Sequence, residues 1–312
     1  MSEEWRGRSL RVAGGGVAAI VVLAVAGAVL LRGDDEPGQA PARTVAAATQ
    51  AGCTGPAPGS YQLPVAADHP PVLLHVPPGT PRARRSVIVM LPGAGQPGAY
   101  AEQYTGYSAL ADQHGFLVAY PTAAGTSPFW NVSGKQAGKP DDVAYLRRVI
   151  TTLTGKKVCG DPERVGLTGG SNGGGMTAHI ACAAADLLTA AASVSGGYSA
   201  LPPCRPSRRL SILEIHGLHD PIVPYRGKRP DRAGAVRTWL RGWLRRNGCT
   251  GTARRSHPAD KVLELRWTCP NGRTVVHDRV LDAQHGWPSL GSFSSTERTW
   301  RFFASSFRQK PG

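Results

Sequence analysis

The chain is poor in acids and in closely spaced cysteines. Only 21 of its 312 residues are Asp or Glu, against 36 Lys and Arg, for a net charge of +15. No acid lies between Asp186 and Glu214. No Cys-x-x-Cys spacing occurs, which argues against a structural zinc site. No internal repeat is visible. Charged residues make up only 18% and apolar ones 41% of the chain, the balance of a globular rather than a disordered protein.

What is present begins with a readable head. Arg6, Arg8 and Arg11 precede an uncharged run from Val12 to Leu31, and Arg32, Asp34, Asp35 and Glu36 follow it. A run of about 20 apolar residues can span a bilayer. A signal-peptide core is nearer about 7–15 residues, yet Ala24-Val25-Ala26 offers a cleavage site inside the run. Residues 1–32 therefore read as a cleaved signal or a retained membrane anchor. Either leaves the rest outside the cell. Residues 33–52, rich in Pro, Ala, Gly and acids, read as a flexible linker. Residues 53–312 are left as the folded domain, roughly 250 residues in one large or two small units.

Cys53, Cys159, Cys182, Cys204, Cys249 and Cys269 all follow the head. An even count in an exported chain points to disulfides, although many pairings are open. Cys249 and Cys269 flank a turn leading into a strand and are paired first. Basic clusters at Arg82, Arg84 and Arg85, at Arg205, Arg208 and Arg209, and at Arg226, Lys228 and Arg229 suit anionic cell-surface polymers or lipid headgroups. They equally suit a solvated basic surface, so charge alone assigns no function. A nucleic-acid partner is not expected for an exported chain.

From about residue 60, short apolar runs alternate with helical periods. "PVLLHV", "SVIVML", "FLVAYP", "RVGLTGG", "AAASVSGG", "LSILEIHG", "KVLELRWTC" and "RTVVHDRVL" read as strands. Helices are expected over 100–114, 141–154, 176–185 and 235–246, and over the closing "STERTWRFFASSF". In the helix over 235–246, Val236, Trp239, Leu240, Trp243 and Leu244 face one side and Arg237, Arg241 and Arg245 the other. Such a helix suits the face of a sheet better than a membrane surface. The alternation implies an α/β fold, a mostly parallel sheet with helices on both faces.

One stretch crowds glycines around a serine: "GLTGGSNGGGMT", from Gly166 to Thr177. A phosphate loop fails because Gly175 and Met176 stand where Lys and Ser or Thr are needed. A dinucleotide loop through Gly173, Gly175 and Ala178 lacks the acid that would hold a ribose. Gly169-Gly170-Ser171-Asn172-Gly173 fits Gly-x-Ser-x-Gly, a sharp strand-to-helix turn that exposes a nucleophilic serine. A serine needs a base, and the base an orienting acid. In the order Ser, acid, His, the chain supplies Asp220 after "ILEIHG" and His285 in "VLDAQHGWP", each in a loop after a strand. Asp282 is a rival acid, but it lies only three residues before His285. His216, His219 and Asp220 form a weak metal cluster with no further ligand motif, and His216 reads better as a strand-end hydrogen-bonding residue. The remaining histidines, His277 among them, read as structural or surface residues. Oxyanion donors are expected at the backbone N–H groups of Asn172 and, from "LPGAGQ", Ala94. No metal or organic cofactor is required.

The blocks "LPGAGQ", "FWNVSG", "PDDVAYLRRVI", "DPERVGLTGGSNGGGMT", "HGLHDPIVPY" and "QHGWP" occur in that order. Over residues 60–308 the chain resembles the secreted polyhydroxybutyrate depolymerase and feruloyl/acetylxylan esterase group of α/β-hydrolases. The resemblance implies an α/β-hydrolase fold with Ser171 as nucleophile, His285 as base and Asp220 as its orienter. It implies a carboxylic ester substrate: a polyester, an acylated polysaccharide or an aromatic-acid ester. Trp130 and Trp287 match aromatic residues near the cleft, with core packing the alternative for each, and Asp142 would hold loops. Two departures stand out. Pro92-Gly93 replaces the group's usual His-Gly, and the cysteine expected before Trp130 is missing. The short connection after Gly173 leaves no room for a large lid, so an open cleft is expected. An acyltransferase with the same three residues, or a non-catalytic wall-binding protein on the same fold, are the alternatives.

Overall fold

A computed structural model describes residues 53, 55–79, 84–134, 140–227 and 235–309. The expected signal or anchor (1–32) and linker (33–52) lie outside the described residues. Among the described residues, no helix is long and apolar enough to cross a membrane.

The strands are β1 (Gly59–Leu63), β2 (Val72–Val76), β3 (Arg85–Leu91), β4 (Leu117–Tyr120), β5 (Gly160–Gly170), β6 (Ala190–Val194), β7 (Ser211–Gly217), β8 (Arg254–Ser256), β9 (Val262–Thr268) and β10 (Thr274–Val280). They form one sheet in the order β1-β2-β4-β3-β5-β6-β7-β10-β9-β8. The stretch from β4 to β10 is parallel throughout. Antiparallel strands flank it on both sides. A small hairpin of β11 (Ser289–Leu290) and β12 (Phe293–Ser294) follows the last sheet strand.

Both faces are covered. On one, Val87, Val89 and Leu91 meet α3 (Asp142–Thr154), α4 (Asn172–Ala183) and α5 (Ala235–Asn247). On the other, Ile88 and Met90 meet α1 (Gly98–Thr105), α2 (Tyr107–His114) and α6 (Ser295–Phe307). Successive residues of β3 thus serve opposite cores, which is why a doubly covered strand reads as a continuous apolar run. On α5, Val236, Leu240 and Trp243 are buried while Arg237, Arg241 and Arg245 are exposed, so this helix packs on the sheet. Asp141 caps α3, accepting the Ala144 N–H at 3.0 Å.

Local readings are corrected in three places. The helix expected over 100–114 is two helices, broken where Gly106 turns left-handed at φ 66°. The helix expected from Met176 begins at Asn172, because its glycines are the turn's own packing surface. A Cβ on Gly174 would lie 2.7 Å from the Val194 carbonyl. Strands β1 and β8 bury almost no side chain, so no alternation marked them. The disulfides are Cys53–Cys159, Cys182–Cys204 and, as expected, Cys249–Cys269.

Candidate active site

Strand β5 ends at Gly170, and α4 starts at Asn172. Ser171 between them is held at φ 54°, ψ −117°, a backbone region that side-chain-bearing residues rarely enter. The surroundings dictate which neighbours can be accommodated. A Cβ on Gly169 would lie 2.5 Å from the Gly173 carbonyl oxygen, and one on Gly173 would overlap the carbonyls of Leu91 and Pro92. The glycines flanking the serine are therefore required by backbone, which cannot swing aside. The Ser171 N–H is tied to the Val194 carbonyl at 2.9 Å.

The turn meets two loops from distant parts of the chain. Ser171 Oγ lies 2.8 Å from His285 Nε2, and His285 Nδ1 lies 2.8 Å from Asp220 Oδ2. Asp220 follows β7, and its Oδ1 accepts the N–H groups of Ile222 and Val223 at 2.9 and 2.8 Å. Two hydrogen bonds tie down the His285 loop, and a glycine lets it approach the end of β7. Ser195 Oγ donates to the Gly286 carbonyl at 2.8 Å. The His219 N–H donates to Ala283 at 3.1 Å. Gly217 leaves room for the chain at Gln284, whose carbonyl would lie 2.6 Å from any Cβ there. The rival Asp282 is instead exposed beside Lys261, at 3.5 Å.

Behind Asp220 stands a buried network that spacing alone did not reveal. His216 Nε2 sits 3.3 Å from Asp220 Oδ2 and 2.9 Å from the Val223 carbonyl. Its Nδ1 meets Glu214 Oε1 at 2.9 Å. Glu214 also accepts the Tyr198 hydroxyl at 3.1 Å, and its Oε2 lies 2.6 Å from His277 Nδ1. His277 is paired opposite Glu214 on the neighbouring strand. Glu214 and His216 are fully buried and His277 nearly so. Burial pushes the Asp220 carboxyl up, but hydrogen bonds from His216, His285 and Val223 outweigh it and hold the group at about 2. Burial likewise disfavours the His216 cation, but Glu214 and Asp220 reverse this and raise it to about 10. With Glu214 on one ring nitrogen and Asp220 and the Val223 carbonyl on the other, His216 is held as a cation, and its Nε2 faces the same oxygen, Oδ2, that His285 does. The one available signal was the i, i+2 spacing of Glu214 and His216, which puts both on one face of β7.

The loop after β3 passes beside the serine, with a Cβ on Gly93 falling 3.6 Å from Ser171 Cβ. The Gly93 N–H is engaged by Gln96 Oε1 and the Gly95 N–H by the Pro128 carbonyl. The Ala94 N–H between them has no partner among the described residues. Asn172 contributes its side chain as well as its N–H. Its Oδ1 accepts the Trp130 N–H at 2.8 Å, and its Nδ2 donates to the Trp130 carbonyl at 3.2 Å.

Trp130 is corrected from cleft residue to support. It is 1% exposed and so has no face for a ligand. Its indole N–H donates to the Pro92 carbonyl at 3.0 Å, bracing the loop where the histidine of the resemblance is missing. Asp142 does hold loops: it accepts the Asn131 N–H at 2.6 Å and lies 3.2 Å from His69 Nε2. Trp287 is half-buried, donates to Thr296 Oγ1 at 2.9 Å and lies over Gly170. It lines a recess of about 300 Å³ together with His285.

Comparison with known proteins fits this geometry. Residues 71–201 match the model of the esterase PHB depolymerase family. The putative esterase NocK of Nocardia uniformis subsp. tsuyamanensis is 30% identical over 247 residues, 70% of this chain and 71% of that protein. The chain belongs to the esterase PHB depolymerase family. Feruloyl esterase B of Piromyces equi is 32% identical over 188 residues, covering 53% of this chain but only 34% of that protein's length. Among solved structures, the acetyl xylan esterase from Aspergillus awamori superposes with a TM-score of 0.60 at 16% identity, over 79% of this chain and 99% of that one. That likeness concerns the fold, an α/β-hydrolase, and Ser171, Asp220 and His285 all sit at the carboxyl ends of its parallel strands.

Proposed function

We propose that this family member is an exported serine esterase that cleaves carboxylic esters through an acyl-enzyme. The single observation that carries the reading is the unbroken line of contacts from Ser171 Oγ through His285 to Asp220, 2.8 Å at each step. An ester carbonyl oxygen points toward the N–H groups of Ala94 and Asn172. Ser171 attacks the carbonyl carbon while His285 Nε2 takes the hydroxyl proton, and Asp220 stabilises the imidazolium. The same proton passes to the departing alcohol. Water then enters, gives a proton to His285 and releases the acid, restoring Ser171.

Relatives named feruloyl esterase, acetylxylan esterase and poly(3-hydroxyalkanoate) depolymerase support an ester on a sugar polymer, an aromatic acid or a polyester as substrate. Trp287, beside His285, is the surface on which an aromatic acyl group or sugar ring would lie. The three disulfides suit an oxidising, extracellular compartment. In this reading residues 1–32 direct export or anchor the protein, 33–52 form a linker and 53–312 are the catalytic domain.

The test is hydrolysis of nitrophenyl acetate, methyl ferulate, acetylated xylan and polyhydroxybutyrate by the wild type and by Ser171→Ala. Activity on at least one ester should fall by ~10³-fold or more in the variant. A variant that keeps most of its turnover removes Ser171 as nucleophile.

A further inference from the structure

A cavity of about 1010 Å³ among the described residues does not contain Ser171. Ile222 and Val223, whose N–H groups bind the Asp220 carboxylate, form part of its lining. The far half of α4, the segment around the Cys182–Cys204 disulfide and α5 form the rest. The cavity therefore shares a wall with the candidate active site.

Its charge is one-sided. Arg205, Arg245 and Arg246 line it, and none of the described lining residues is Asp or Glu. Arg205 and Arg245 are exposed, and neither has a carboxylate partner among the described residues. Arg246 is half-buried, spending its Nε–H on the Cys204 carbonyl at 3.1 Å. Burial and the neighbouring Arg245 both disfavour its charge. The C-terminus of α5 offsets part of this repulsion, since cations are favoured there. A bound carboxylate would offset the rest and accept paired guanidinium donors.

A further feature suits a sugar. Trp239, half-buried on the cavity wall, has its indole fixed by Tyr198, stacked at 4.5 Å and 5°. A fixed, partly exposed indole is a platform for a sugar ring.

We propose that this cavity is a binding subsite for a carboxylate-bearing polysaccharide, which makes the preferred substrate an ester carried on a uronic-acid-containing sugar chain. The substrate claim rests on the esterase reading; the binding claim does not. The arginines take the carboxylates, Trp239 takes a ring face, and the shared Asp220–Val223 wall brings a neighbouring ester toward Ser171.

The experiment uses the full chain. Binding of a short oligogalacturonate to Ser171→Ala is measured by calorimetry, beside a neutral xylo-oligosaccharide and phosphatidylglycerol vesicles. The same background carries Arg205→Glu/Arg245→Glu or, as a control of equal charge change, Arg254→Glu/Arg255→Glu on the exposed strand β8. The first pair should weaken oligogalacturonate binding by about tenfold or more and the control pair by much less. In the active enzyme, the first pair should raise KM for acetylated polygalacturonate and leave nitrophenyl acetate turnover unchanged. Equal losses in both pairs would reduce the effect to overall charge and overturn the subsite. So would binding confined to the vesicles. If the first pair melts at a lower temperature, Arg205→Gln/Arg245→Gln replaces it, and unchanged affinity there overturns the proposal. Wild-type protein that hydrolyses no nitrophenyl ester defeats the esterase reading instead, while the binding arm still decides the subsite.

Discussion

Asp220→Asn isolates the role of one charge with almost no change in shape. In the wild type, Oδ1 accepts two backbone N–H groups, while Oδ2 faces His285 Nδ1 at 2.8 Å and His216 Nε2 at 3.3 Å. An asparagine cannot serve both sides. With its oxygen kept toward Ile222 and Val223, its NH₂ donates toward His285, whose Nδ1 must then accept. The imidazole proton is driven to Nε2, the atom that should receive the proton of Ser171. With the amide flipped, the NH₂ meets two N–H donors and both bonds are lost. The first orientation keeps the two shorter backbone bonds at the cost of the 3.3 Å His216 contact, and it leaves the wrong tautomer at the serine. The expected cost is a fall in kcat of about 10⁴-fold, roughly 5.5 kcal/mol of transition-state stabilisation. The assay is steady-state hydrolysis of nitrophenyl acetate, with the melting temperature recorded to show that the variant is folded. A folded Asp220→Asn enzyme keeping more than a tenth of the wild-type kcat would refute the assignment of Asp220.

Two other outcomes are expected. His216 has a raised folded-state value, so its stabilising contribution is complete below about 6.5, the ordinary histidine value, and is lost as pH rises through about 10. Thermal melts of wild type and His216→Gln should therefore differ most at the acid end of that window and converge toward pH 10; a constant gap would mean that His216 is not charged in the folded protein. Trp130→Phe keeps a six-membered aromatic ring but removes the pyrrole half of the indole and with it the donor to Pro92, so it should lower kcat on nitrophenyl acetate by about tenfold with little change in KM, as removal of an oxyanion-loop support would; an unchanged kcat would show that the Ala94 loop needs no such brace.

Periodicity and residue type make much of this fold legible in the sequence. The apolar run of β3 is long because both sheet faces are covered, so neither side of that strand needs to be polar. Ser171 stands out because its strained turn admits only glycine two positions to either side, at Gly169 and Gly173, a steric demand written directly into residue type. The helix over 100–114 was misread as continuous because nothing in its apolar spacing distinguishes a break at Gly106 from a tolerated glycine. Trp130 was misplaced because an aromatic side chain serves a cleft or a core equally well, and its burial depends on what other segments lay over it.

Local chemistry, acting within a few residues, determined the nucleophile turn, the alternation of strands and helices, and the candidates Asp220 and His285. Only the folded chain decided that His285 reaches Ser171, that His216 and Glu214 back the carboxylate from β7, and that arginines from two distant segments line one cavity. These relations are set by strand order and by loops packing across separations of up to 114 residues, and electrostatic coupling depends on the resulting distances and burial. Sequence proximity carries no information about either.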